Sequence, residues 1–80
     1  MIVDKINEVL KNKLISNSSE IIICLNKKDF EEVKSVKNVF WTCKAEIGDY
    51  SIWKFDLEDI SVIFVASKTC PEDKIFVYKE

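Results

Sequence analysis

The sequence predicts an α+β domain over residues 1–80. Its elements run α-β-α-β-β-β-β, with a mainly antiparallel sheet and two helices packed on one face. Three observations carry that reading. Two stretches in the first half repeat their apolar residues at steps of three and four. From Asn38 the period changes to two. The only glycine, Gly48, then separates two alternating runs, each holding one of the two tryptophans. Eighty residues leave room for one core.

Ile2, Val3, Ile6, Val9, Leu10 and Leu14 recur at helical steps, with Asp4, Lys5, Glu8, Lys11, Asn12 and Lys13 between them. This is an amphipathic helix ending near "SNSS". "EIIICL" is too short and too β-branched for a helix and reads as a strand buried on both faces. "NKKDFEEVKSVKN" sets Phe30, Val33 and Val36 at spacing three, a second and shorter helix. Asn26 is its expected cap, and Asp29 suits the positive end of its dipole.

Beyond Asn38, Val39, Trp41, Cys43, Ala45 and Ile47 alternate with Phe40, Thr42, Lys44 and Glu46. After Gly48, Trp53, Phe55 and Leu57 alternate with Lys54, Asp56 and Glu58. "ISVIFVA" is a further strand, "SKTCPED" a loop and "KIFVYK" the last strand.

A two-residue turn at Gly48-Asp49 would pair Ile47 with Tyr50 and set the two apolar rows on opposite faces. One residue of slip flips every side chain, so burial should overrule the easy turn. A three-residue loop, or a bulge beside Gly48, puts Trp41, Cys43, Ala45 and Ile47 on one face with Trp53, Phe55 and Leu57. Ile60, Val62, Phe64 and Ala66 join that face from the next strand. Both tryptophans are then core residues beneath the helices.

In that register the second face carries Phe40, Ile52, Ile63 and Val65 among Thr42, Lys44, Glu46, Lys54 and Ser61. The last strand adds either Ile75 and Val77 or Phe76 and Tyr78. Two short helices can cover one face of such a sheet, so an apolar stripe rimmed by charge is left over, as on a partner or dimer surface. The terminal strand "KIFVYKE" is a second route to a partner through an exposed edge, although Lys74 and Lys79 read as edge protection.

Composition narrows the chemistry. The chain has no histidine, and all twelve of its basic residues are lysines. The usual proton shuttle and the bidentate guanidinium fork are therefore missing. Lysine-only usage with many Ile and Asn suits an AT-rich genome. Cys24, Cys43 and Cys70 form no CxxC pair and make a poor zinc site. Cys24 and Cys43 read as small buried hydrophobes, Cys70 as an exposed loop thiol. The acids Asp56, Glu58 and Asp59 crowd one hairpin tip, and Glu72 with Asp73 another loop; both read as solvated turns without Ca²⁺-loop spacing. No glycine-rich loop cradles a phosphate. A net charge of −2 gives no electrostatic footprint for nucleic acid. No run is long or apolar enough for a signal peptide or membrane span, and three free thiols suit a reducing cytoplasm.

The expected function is therefore that of a small cytoplasmic protein-interaction module, not an enzyme, with no cofactor and no metal. It would bind and occlude another protein, as inhibitors and antitoxins of phages and mobile elements do. The expected partner-binding residues are Phe40, Ile52, Ile63 and Val65 on the sheet and the acids Asp56, Glu58 and Asp59 at the tip. Two alternatives belong to other classes: a self-assembling homodimer using the same face, and a single-stranded nucleic-acid binder stacking bases on sheet aromatics.

Overall fold

The computed structural model describes residues 2–13, 20–58 and 60–79. Helix α1 spans Ile2–Lys13 and α2 Lys27–Val36; the strands are β1 (Glu20–Asn26), β2 (Thr42–Ile47), β3 (Tyr50–Leu57), β4 (Ile60–Ser67) and β5 (Ile75–Lys79). The expected α+β order is present. The five strands form one sheet in the order β2-β3-β4-β1-β5. All neighbours are antiparallel except β1 and β4, which run parallel with Ile22 beside Ile63 and Cys24 beside Val65. The expected end of the first helix at "SNSS", with Leu14, lies outside the described residues.

Ile2, Val3, Ile6 and Leu10 of α1 and Phe30 and Val33 of α2 are buried against one sheet face. That face supplies Ile21, Ile23 and Leu25 from β1, Phe55 from β3, and Ile60, Val62, Phe64 and Ala66 from β4. Ile75 and Val77 of β5 pack against the same cluster, which settles the face of the last strand. Val36 departs from expectation and is 60 % exposed. Each step of three residues falls about 60° short of a full turn, so two such steps carry Val36 off the buried stripe. Strand β1 also departs: Ile21, Ile23 and Leu25 are buried, but Ile22 and Cys24 on its other face are only half-buried.

Both tryptophans close the open side of this core. The Trp41 ring lies 5.4 Å from Phe30, 5.0 Å from Phe55 and 5.4 Å from Phe64, each near an edge-to-face arrangement. Contacts of that geometry add roughly 0.5–1.5 kcal/mol apiece beyond their buried area. Trp53 stands 6.2 Å from Phe30 and is roofed by Lys34, whose Nζ lies 3.9 Å from the indole centre. Both rings are half-buried, not enclosed, because α2 reaches only part of the β2–β3 side.

The register around Gly48 resolves in a way the alternation did not anticipate. The two-residue turn is kept: Ile47 pairs with Tyr50, and Gly48 takes the positive φ of 57°. The shift of face is made four residues earlier by a bulge between Cys43 and Ala45, which leaves Lys44 without a partner in the ladder. Cys43 thus shares the helix side with Trp53, while Ala45, beside Ile52, and Ile47 are turned to the opposite face. Glu46 moves the other way, onto the helix side, where its carboxylate accepts from Ser51 Oγ at 3.4 Å. Ala45 and Ile47 therefore do not share the face of Trp53, and Glu46 is not on the second face. The bulge thus overrules the turn only for Trp41 and Cys43, and of the two only Trp41 is covered.

Candidate functional site

The hydrogen-bond register aligns side chains in rows across the face that carries no helix. One row crosses all five strands: Ala45 of β2, Ile52 of β3, Val65 of β4, Cys24 of β1 and Phe76 of β5. At about 4.8 Å between strands, it is roughly 19 Å long. The next row holds Lys54, Ile63, Ile22 and Tyr78. On the other side of the apolar row, Ile47 and Tyr50 extend the patch beyond the β2–β3 hairpin. Nine apolar or aromatic side chains and one thiol are thus continuous on a face the two helices leave bare.

Exposure is graded across this patch. Its middle, Ile22, Cys24, Ile52, Ile63 and Val65, is half-buried by its own neighbours. Its flanks stand out: Ile47 is 70 % exposed and Tyr50 52 % on one side, Phe76 42 % and Tyr78 57 % on the other. Small and branched residues form the floor and larger ones the rims.

The charged part is confined to one end, and Ser67 and Asn26 are the polar residues of the other. Lys54, Asp56 and Glu20 are the charged residues that the ladder places on this face, the bulged Lys44 aside. Lys54 Nζ lies 3.3 Å from Asp56 Oδ1, and Ser61 Oγ donates to the same oxygen at 3.2 Å. Asp56 is therefore held inside the sheet's own network. At the opposite end the turn after β4 folds over Ser67, which is 2 % exposed and bonded to Thr69. That turn is pinned from three elements. Asn26 Nδ2 donates to the Cys70 carbonyl at 2.7 Å, Asp29 Oδ2 accepts from Asp73 N at 2.6 Å, and Lys5 Nζ donates to the Asp73 carbonyl at 2.6 Å.

Of the residues expected to meet a partner, Ile52, Ile63 and Val65 lie together on this face, with Asp56 at its polar end. Phe40 lies outside the paired ladder: it precedes the first paired residue of β2 and is 87 % exposed. Glu58 is at the β3–β4 tip with a positive φ of 57°, and Asp59 lies outside the described residues. Ile22, Cys24, Ala45, Ile47, Tyr50, Phe76 and Tyr78 are members that sequence reasoning missed or left open. Only the strand order, with β1 between β4 and β5, brings the first and last of them to the patch.

The thiols differ from expectation. Cys43 is exposed, because β2 is an edge strand that the helices do not reach, and Cys24 is half-buried on the bare face. Burial, with a smaller contribution from the nearby Cys70, pushes the Cys24 thiol above its ordinary pKa. Neither effect makes a reactive nucleophile. Elsewhere a recess of about 150 Å³ lies between α2 and the β2–β3 hairpin, lined by Lys27, Phe30, Glu31, Glu46, Ser51 and Trp53. It is well below the roughly 300–1,000 Å³ of small-molecule sites. Among the described residues no group of three or more Cys, Asp or Glu is placed to hold a metal ion, and no helix is long and apolar enough to cross a membrane. No protein-family model, curated protein or solved structure significantly matches this chain.

Proposed function

We propose that this chain is a protein–protein interaction module whose working surface is the bare face of the sheet. It acts by covering a partner's own apolar surface, the mode of action of a small inhibitor or antitoxin. The observation that supports this is the five-strand apolar row, Ala45–Ile52–Val65–Cys24–Phe76, with both helices on the other side. An apolar patch of this extent is on the order of the ~300–600 Å² of the largest patch on an ordinary monomer, which is often a functional surface. Tyr50 and Tyr78 at its margins suit an interface rim, where an aromatic body is covered and a hydroxyl stays wet. A cytoplasmic site of action is consistent with three free thiols.

The test compares capture of cellular proteins by wild type, by Ile52→Lys/Ile63→Lys and by Val36→Lys. Val36 is exposed on α2 and away from the face, so its variant controls for added charge. The proposal expects a partner that wild type and Val36→Lys retain and that the face variant loses, while all three melt cooperatively. Retention by the face variant would move the working surface elsewhere. A captured species that is nucleic acid, released steeply by salt, would favour stacking on Tyr50, Phe76 and Tyr78 instead.

A further inference from the structure

We infer that the bare face is built to accept a second copy of this chain, packed face to face about a two-fold axis parallel to the strands and centred on β4. This deepens the interaction reading and rests on it. Three features select this occupant.

The first is size. With roughly 150–250 Å² for a fully exposed aromatic side chain, Tyr50, Phe76 and Tyr78 at their observed exposures present on the order of 300 Å². Ile47 and the half-buried Ile22, Cys24, Ala45, Ile52, Ile63 and Val65 bring the face to on the order of 600–700 Å² per copy, inside the range of standard interfaces at 1,200–2,000 Å² for both sides.

The second is charge. The face holds one lysine already paired with Asp56, together with Glu20 at its end. Its apolar centre carries no charge that would select a strongly charged partner; the axis does set Asp56 opposite Glu20 of the other copy at the polar end, outside the apolar rows and with Lys54 beside Asp56.

The third is shape. A two-fold axis along the strands reverses the order β2-β3-β4-β1-β5 in the facing sheet, so the central row meets itself backwards. Ala45 then faces Phe76 of the other copy, Ile52 faces Cys24, and Val65 faces Val65 across the axis. Each large member meets a small one, the complementarity that lets two sheets close to about 10 Å. In the next row Ile63 meets Ile63, and the aliphatic stem of Lys54 covers Ile22. The alternatives at the edges are weaker. The bulge at Lys44 interrupts the free side of β2, and β5 offers only five residues.

The experiment is sedimentation equilibrium from 5 to 500 μM, combined with timed iodoacetamide labelling of wild type read by mass spectrometry. Wild type is expected to reach twice the single-chain mass. Val65→Lys, at the axis, is expected to stay monomeric, and Val36→Lys to dimerise normally. Labelling of Cys24 should slow at least tenfold between the lowest and highest concentration, while the exposed Cys43 labels at a constant rate. Wild type that stays monomeric at 500 μM overturns the self-association. The interaction reading then stands or falls separately on the Ile52→Lys/Ile63→Lys capture comparison. A dimer that survives Val65→Lys, or that leaves Cys24 labelling unchanged, overturns this face as the contact.

Discussion

Replacing Asn26 tests how the fold joins its second helix to the turn after β4. Asn26 is 8 % exposed and makes two kinds of contact with one amide group. Its Oδ1 accepts from Lys28 N at 2.8 Å, capping α2, and its Nδ2 donates to the Cys70 carbonyl at 2.7 Å. Asn26→Ala removes both. Loss of the cap costs about 1 kcal/mol. The half-buried Cys70 carbonyl loses its donor, which costs about another 1 kcal/mol. The total, roughly 2 kcal/mol, is a large share of the ~4–12 kcal/mol expected for a domain this size, and corresponds to a fall in Tm of about 8–16 °C. Asn26→Asp separates the two contacts. It keeps an acceptor for Lys28 N and gains from the helix dipole, but it sets an oxygen against the Cys70 carbonyl. The expected order of stability in urea melts is wild type, then Asp, then Ala, with Asp losing about half as much as Ala. An Ala variant within ~0.5 kcal/mol of wild type, or an Asp variant less stable than Ala, would refute the assignment of both contacts to this side chain.

Further outcomes follow from other details. Glu58 holds a left-handed backbone that costs a non-glycine residue ~1–2 kcal/mol, so Glu58→Gly, after the entropy glycine brings to the unfolded chain, should raise stability by ~0.5 kcal/mol in thermal melts. The Cys24 thiol is raised by burial and then by Cys70, so the folded chain keeps this proton to higher pH than the unfolded chain. Its contribution is complete below the unfolded thiol's pKa of ~8.5 and is lost as pH climbs above it. Urea midpoints measured from pH 7.5 to 10 should therefore fall more steeply for wild type than for Cys24→Ala; parallel slopes would show that the thiol is not linked to folding.

The fold class was readable because each signal was local. The three- and four-step repeat of Ile2, Ile6 and Leu10 is a helix in any context, and Asn26 before Lys27 caps whatever helix follows. The alternation of Trp53, Phe55 and Leu57 survives as one face of β3. What could not be read depended on distant partners. Nothing in "EIIICL" tells that β1 lies between β4 and β5, so Ile22 and Cys24 could not be placed beside Ile63, Val65, Phe76 and Tyr78. The bulge at Lys44 is likewise a compromise between two demands. The tight Gly48 turn fixes Ile47 opposite Tyr50, and the Phe30–Phe55–Phe64 core draws Trp41 inward. Alternation alone describes one demand at a time, which is why Ala45 and Ile47 were expected on the wrong face. Ile52, Ile63 and Val65 were identifiable because β3 and β4 are consecutive and their pairing is a simple hairpin.

One sheet face is bare in the single chain, and the proposed interaction would cover it. Methyl spectra with a soluble paramagnetic probe test it most directly, first at low micromolar concentration and then at several hundred micromolar. Ile22, Ile52, Ile63 and Val65 should broaden at low concentration while Ile21, Ile23 and Val62 stay sharp, and the first group should regain its intensity as copies associate. Broadening of the first group that persists at every concentration would remove the second copy as occupant and leave the face bare for another protein. Methyls of Ile22, Ile52, Ile63 and Val65 that are already shielded at the lowest concentration would contradict the account, because the chain would then be covering that face itself.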